Sequence, residues 1–392
     1  MAKHTPTKVV HDVALVLPGG GARVAYQVGV IKALATIHKN RDVRNPYRIL
    51  CGTSAGAINA VALASRSDDF CEAADWLERL WMGLSPDSIY RSDWLGVINN
   101  AWRLMISLFN SGVAVGRPVG LLDNSPLRQL LKKNVDFSAI SSNISSGHLD
   151  ALSVTAMNYT EGVSMSFFQG GPEHAGWQRW RRQGIPTPIN IAHIMASTAI
   201  PTIFPPQRIG RHYYGDGALR QLTPISPALH LGADKVLIIP ANGHLKEYSK
   251  PLQRIHSPAF GQIIGHLLNS AFVDGIETDI EHLERINQLI RLLPEQTSVT
   301  EHQLKPIDAL VISPSEDIDA LADDYVQHLP RSIRTFMRRT GSKYSGGVNI
   351  ASYLLFTHSF AERLITLGYN DAMLQAGELK RFVYGSQTSD PQ

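Results

Sequence analysis

Charge is scarce in this chain: Asp, Glu, Lys and Arg make up 18% of its 392 residues, while hydrophobic residues reach 44%. Soluble domains usually carry roughly 25% charged residues, so this balance excludes a disordered chain and favours a well-buried globule. Cysteine is scarcer still. Cys51 and Cys71 are the only two, too few for a disulfide framework or a four-thiolate zinc site, which fits a reducing compartment. A basic excess is also missing: 37 Lys plus Arg against 34 Asp plus Glu leave a net charge of +3, too little over this length to make nucleic acid the main partner. No stretch of about 20 uninterrupted apolar residues is present, so no transmembrane helix is expected. Met1 to Lys8 lead into a short strand-like patch without a long apolar segment, so no secretory signal is expected either. These absences leave a soluble or membrane-surface globular protein, with a cytoplasmic location, peripheral at a membrane surface at most, as the expectation.

At about 150 residues per domain, the length allows one large domain with an extension, or two to three small ones. Val13-Ala14-Leu15-Val16-Leu17 is a continuous apolar run that stops at Pro18 and three glycines, the pattern of a buried parallel strand ending in a tight turn. Helical spacing follows from Arg23 to Lys39, then a second turn-bounded strand at Arg48 to Cys51, which completes a βαβ unit. The stretch Ala57 to Ala64 has almost no polar face and reads as a helix buried against the sheet. Further strands are expected at Leu152 to Met157, Ser164 to Phe168, Tyr213-Tyr214, Lys235 to Ile239 and Ala309 to Ile312, with helices between them. The alternation predicts an α/β fold with a largely parallel sheet. No internal repeat is visible. Ser141 to His148 reads as a polar connection inside one domain. Gln262 to Leu293 reads as one long helix or two, stopped by Pro294, and the chain after Ser313 is mostly helical in pattern, with a frayed polar tail from Gly385 to Gln392.

Three short segments carry chemistry. Gly52-Thr53-Ser54-Ala55-Gly56 lies between an expected strand and an expected helix, the context of a nucleophile elbow. A sharp strand-to-helix turn strains the nucleophile's backbone, so small flanking residues let Ser54 Oγ project at a helix N-terminus, where the dipole favours negative charge. The bland reading is a glycine-softened loop. Gly19-Gly20-Gly21-Ala22-Arg23 again follows a strand and precedes a helix, so its backbone N–H groups could cradle a phosphate or form an oxyanion hole. The dinucleotide fingerprint fails because Val24 stands where a glycine is needed, and no Walker lysine follows. Tyr213-Tyr214-Gly215-Asp216-Gly217-Ala218 sets an aspartate between glycines after a short strand, which alone would be a turn aspartate.

In this order the three segments resemble the patatin-like phospholipase family, its bacterial members in particular. The resemblance extends over most of the chain: Leu121 to Leu127, Ala196 to Pro201 with Phe204 to Pro206, Ser226 to Ala228 with Leu231 to Asp234, and Tyr353 to Phe356 with Leu367 to Tyr369 are similar to family blocks. It implies a patatin-like three-layer α/β fold, a catalytic core over residues 10–240, and a C-terminal region over 241–392 with one further strand at about 309–313 and mostly helices packed on the core. The family's oxyanion motif falls on Gly19, Gly20, Gly21 and Arg23, its nucleophile on Ser54 within the elbow Gly52, Thr53, Ala55 and Gly56, and its D-G-A aspartate on Asp216 with Gly217 and Ala218. One departure is Val24, where the family commonly has glycine.

What the resemblance implies is a Ser54–Asp216 dyad acting through an acyl-enzyme on a phospholipid or other lipid ester, with no metal or organic cofactor. A free aspartate, with a pKa of about 3.9, is a poor base unless burial raises it. Arg23 is open to three readings: a brace of the glycine loop, an attractant for lipid phosphate, or a solvated first-turn arginine. An α/β-hydrolase with Ser-Asp-His order is the rival hydrolase, with His358 as its late histidine. A lipid-binding or effector-type protein on the same fold, without turnover, is the rival from another class. Trp94, Ile98, Ala101, Trp102, Met105, Leu108 and Phe109 follow helical spacing, as a lid, a membrane-surface helix or a helix packed on the core. Cys51 and Cys71 read as apolar packing residues. Arg179, Arg181 and Arg182 with Trp177 and Trp180 read as a solvated loop, and Asp123 and Ser125 as helix-capping residues.

Overall fold

The structure is a computed structural model that describes residues 13–39, 45–109, 120–221, 223–242, 260–292, 306–339 and 350–385. For residues 104, 105, 107–109, 260–274, 277 and 336–339 only the backbone is described. The expected reading of residues 1–12, of Leu293 and Pro294, and of the tail beyond Gly385 therefore lies outside the described residues, as do the side chains of Met105, Leu108 and Phe109.

Among the described residues one ten-stranded sheet forms the centre. Its strands are β1 (Val13–Leu17), β2 (Ile49–Thr53), β3 (Ala151–Asn158), β4 (Val163–Gly170), β5 (Trp177–Arg179), β6 (Arg182–Pro186), β7 (Gln207–Ile209), β8 (His212–Asp216), β9 (Lys235–Ile238) and β10 (Asp308–Val311). The order is β10-β9-β1-β2-β3-β4-β6-β5, with β8 added to β3 and β7 to β8. From β10 to β3 all neighbours are parallel. Beyond β3 the sheet is mixed, since β4 and β8 both run antiparallel to it. Continuous apolar runs in β1 follow from burial on both faces: Val13, Leu15 and Leu17 belong to one hydrophobic cluster, Ala14 and Val16 to the other.

The larger cluster lies under α1 (Ala25–His38), α2 (Ala55–Ala64) and α3 (Phe70–Met82). All ten residues of α2 are buried, as its lack of a polar face predicts. The opposite face is covered by the helix Ser226–His230 and by the single 32-residue helix Phe260–Arg291, whose Ile276 and Leu283 reach the second cluster. The helix His358–Leu374 packs along α1, and Tyr26 of α1 donates its hydroxyl to Asp371 at 3.1 Å. Asp371 also accepts from the backbone and hydroxyl of Ser315, which ties the chain beyond β10 to the same helix pair.

Three local expectations need correction. Ser141 to Ser145 are not loop but the last turns of the helix Phe137–Ser145, whose N-terminus is capped by Asp136. Arg179 and Arg182 sit in strands β5 and β6 of a hairpin at the sheet edge, and only Arg181, exposed, is in the turn between them. Ser125 is the first residue of its helix and the N-cap position is Asn124, which makes no side-chain cap bond; Asp123, just before it, accepts from the Ser125 N–H at 2.8 Å. The helix Trp94–Phe109 forms as expected, but it turns Trp94, Leu95, Ile98, Trp102 and Ile106 outward while Val97 is buried. No described helix is long and apolar enough to cross a membrane.

Candidate active site

The parallel strand β1 has β2 on one side and β9 on the other, so the strand order reverses there, and the loops leaving the carboxyl ends of β1 and β2 are packed against each other. The glycine loop leaves β1 at this point. Gly21 takes φ +57°, and a Cβ on it would lie 2.3 Å from the Tyr353 carbonyl oxygen, so only glycine fits. A short 3-10 turn, Gly21–Val24, then runs directly into α1. Val24 has a right-handed backbone, φ −70°, so this position does not need the glycine common at it in the family. Below the loop lies a fully buried polar network. The Gln27 amide donates to the carbonyls of Pro18 at 2.8 Å and Ile239 at 3.0 Å, Asn59 donates to Gln27 Oε1, and Trp81 Nε1 donates to Asn59. The buried Pro18 and Ile239 carbonyls are thus paired.

Ser54 follows β2 with φ 54° and ψ −131°, a conformation that costs a non-glycine residue about 1–3 kcal/mol. It caps α2, whose N-terminus begins at Ala55. Gly56 brings that helix so close to β1 that a Cβ would lie 2.1 Å from the Leu17 carbonyl oxygen, and the elbow and the glycine loop are packed together as a result. The Ser54 hydroxyl donates to Asp216 Oδ2 at 2.5 Å. Asp216 is fully buried at the end of β8, and its other oxygen accepts from the Ala218 N–H at 3.0 Å. Burial raises its pKa to about 7, against the opposing pull of the Ser54 and Ala218 hydrogen bonds.

Strand β3 explains why residues so far apart in sequence meet. Its one edge is taken by β4 throughout. Its other edge pairs Thr53 of β2 with Thr155, and then Asp216 of β8 with Ala156. The end of the elbow strand and the aspartate therefore occupy successive places on one edge, whose pleat fixes their separation.

Ser54, Asp216, the elbow residues and Gly19 to Gly21 are brought to one end of the sheet. The Arg23 side chain is not turned to solvent there. It is 1% exposed, donates Nε to the Ser352 hydroxyl at 2.7 Å, and binds Asn242 and Asp319 with its two terminal nitrogens. Its guanidinium also lies 4.0 Å from the centre of the Tyr353 ring. Each of the three nitrogens is bonded to protein and the side chain is buried, so the geometry fits the brace rather than a solvated first-turn arginine.

The family model described as patatin-like phospholipase matches residues 15–229. The chain belongs to this family. Among solved structures, the patatin-like chain is similar to VipD from Legionella pneumophila at 14% identity and a TM-score of 0.34, covering 94% of this chain and 67% of that one. It is also similar to human GIVD cytosolic phospholipase A2 in complex with methyl gamma-linolenyl fluorophosphonate, at 11% identity and a TM-score of 0.43, covering 98% of this chain and 60% of that one. No curated protein matches.

Two further features complete the site of this patatin-like protein. His358 starts the helix His358–Leu374, where it is bonded to the Met82 carbonyl and lies beside Glu362. Among the described residues no histidine is hydrogen-bonded to Ser54 Oγ or to the Asp216 carboxylate. Ser197, which ends the helix Ile191–Ser197, accepts from the Ser54 N–H at 2.8 Å. Ser197 and Gln27 carried no role in the reading of the sequence. The only signal was that Ser197 stands in one of the family blocks. Among the described residues no group of three or more His, Cys, Asp or Glu side chains could hold a metal ion.

Proposed function

We propose that this patatin-like protein is a serine lipid acyl hydrolase that cleaves a phospholipid or related lipid ester through an acyl-enzyme. The observation that supports it most is the 2.5 Å hydrogen bond from a backbone-strained Ser54 to a buried Asp216 whose pKa burial lifts to about 7. A base poised near working pH removes the weakness of an ordinary aspartate.

In the first half-reaction Ser54 Oγ attacks the ester carbonyl carbon as its proton passes to Asp216. The N–H groups of Gly20 and Gly21 hold the oxyanion, and one such donor is worth about 3 kcal/mol in other hydrolases. Collapse of the tetrahedral species breaks the carbon–oxygen bond to the alcohol, which leaves with the proton from Asp216. Water then attacks the acyl-enzyme and gives its proton to Asp216. Release of the fatty acid returns that proton to Ser54. The outward face of Trp94, Leu95, Ile98, Trp102 and Ile106 supports the finer reading that the enzyme meets its lipid at a membrane surface, since tryptophan and large apolar side chains partition into the interface.

The test is lipid hydrolysis profiled by mass spectrometry of released fatty acid and lysolipid. Ser54→Ala and Asp216→Asn should each lower kcat at least about a thousandfold, the scale seen when a nucleophile or its orienting acid is removed, while His358→Ala keeps full activity. Activity lost only in the histidine variant would overturn the dyad. Folded wild-type protein that a fluorophosphonate probe fails to label would favour a lipid-binding protein without turnover.

A further inference from the structure

Ser54 has an N–H with no place in regular structure. The β2–β3 pairing ends at Thr53, and the N-cap of a helix donates to no carbonyl within it. At 2% exposure this N–H has no water to turn to, and an unpaired buried donor costs about 1–3 kcal/mol. Ser197 meets it. Its hydroxyl oxygen accepts from Ser54 N at 2.8 Å and donates its own proton to the Thr155 carbonyl at 2.6 Å, in a position with no solvent exposure. Thr155 is the residue of β3 that pairs with Thr53. Two residues further on, the Ala199 carbonyl accepts from the Asp216 N–H at 2.9 Å. The segment Ser197 to Ala199 thus holds the backbone N–H of both members of the pair, one through a side chain and the other through its main chain.

We propose that Ser197 is a positioning residue: its hydroxyl pins the strained Ser54 backbone to β3 and thereby sets Ser54 Oγ in line with Asp216. The inference rests on the reading of Ser54 as nucleophile. A positive φ at a non-glycine residue persists only where its surroundings over-determine it, and among the described residues the Ser197 hydroxyl is the one side-chain group bonded to the Ser54 main chain. Alanine at 197 removes that bond, orphans the buried Ser54 N–H beside the reacting oxygen and takes from the Thr155 carbonyl its bond to the hydroxyl. The added freedom falls on the orientation of Oγ, where a displacement of about 1 Å costs on the order of a hundredfold in rate. Substrate binding is not touched, so the effect belongs in kcat and not in KM.

The experiment measures fluorophosphonate labelling of Ser54, as rate and as final stoichiometry, together with kcat and KM for lipid hydrolysis, on Ser197→Ala, Ser54→Ala and wild type. Ser197→Ala should label to full stoichiometry at a rate about ten- to a hundredfold lower, with kcat reduced alike and KM within about twofold. Labelling at the wild-type rate overturns the proposal, and so does a loss of stoichiometry in proportion to unfolded protein with the remaining fraction at full rate. Should the alanine variant not fold, Ser197→Cys, similar in size but a weak donor and acceptor, is judged by the same two readings. An inactive Ser54→Ala beside a fully active Ser197→Ala overturns this inference alone. A fully active Ser54→Ala overturns the reading of the nucleophile and this inference with it.

Discussion

Asp216 is the residue whose environment decides most. In the unfolded chain it has an ordinary carboxylate pKa of about 3.9, and burial lifts it to about 7 in the fold. Between those values the folded chain holds a proton that the unfolded chain has released, so the free energy of unfolding falls as pH rises through about 4 to 7 and levels off above. Asp216→Asn removes that penalty. In thermal melts the variant should be the more stable protein at pH 8, by an amount on the order of 4 kcal/mol, and the gap should close as pH is lowered toward 4. A stability gap between the two proteins that does not change from pH 4 to pH 8 would contradict the raised pKa. Activity should run the other way with pH, because only the deprotonated form accepts the Ser54 proton. The same residue predicts kcat/KM half-maximal near pH 7 and falling about tenfold per unit below about pH 6; a profile flat from pH 5 to 8 would contradict this. Cys51, just before the elbow, takes no part: it is buried, and burial pushes its thiol pKa up.

At the scale of the element, legibility followed the strength of the period. β1 and α2 stand out in the sequence because they are buried on every side, β1 with an unbroken apolar run and α2 with one broken only at Asn59. β5, β6 and β7 do not, since three- to five-residue strands at or next to the sheet edge, rich in arginine and glutamine, show neither alternation nor an apolar run. Ser141 to Ser145 mislead for a related reason, as serine favours turns on its own but here continues a helix capped by Asp136 and packed through Ile140. The helix Trp94–Phe109 was recognisable by its spacing, whereas the direction of its apolar face was not. Because Trp94 and Trp102 are 49% and 65% exposed, replacing both with serine should change stability by no more than about 0.5 kcal/mol. Hydrolysis of a soluble ester should be unchanged, while flotation with phospholipid vesicles should fall. Flotation equal to wild type would remove the membrane role from this helix.

At the scale of the molecule, Arg23 joins segments that are hundreds of residues apart. It leads from the glycine loop to Asn242 after β9, to Asp319 in the helix Ile318–Asp323 and to Ser352 in the helix Ile350–Leu354. Its positive charge has one anionic partner in this set, Asp319. Asp319→Asn leaves a buried guanidinium among neutral acceptors and should cost about 3 kcal/mol, the low end for breaking a buried pair because Asp319 itself is partly exposed. Denaturant melts measure this directly. A variant as stable as wild type would show that Arg23 braces the loop through its neutral partners alone.

The amino-acid sequence by itself determined the α/β class, the strand-turn-helix settings of the glycine loop and the elbow, and the short turn after β8. Each of these is local: a run of apolar residues, two or three glycines, and the helical spacing that follows are read within some 20 residues. Tertiary structure alone decided what lies together. Ser54 and Asp216 are 162 positions apart, and they meet because β2 and β8 share one edge of β3 in fixed register. The same holds for Ser197 behind the elbow, for the burial of Arg23 and for the outward face of the helix Trp94–Phe109. Sheet pairing and helix packing are contacts between distant segments, and no periodicity in a single segment carries them.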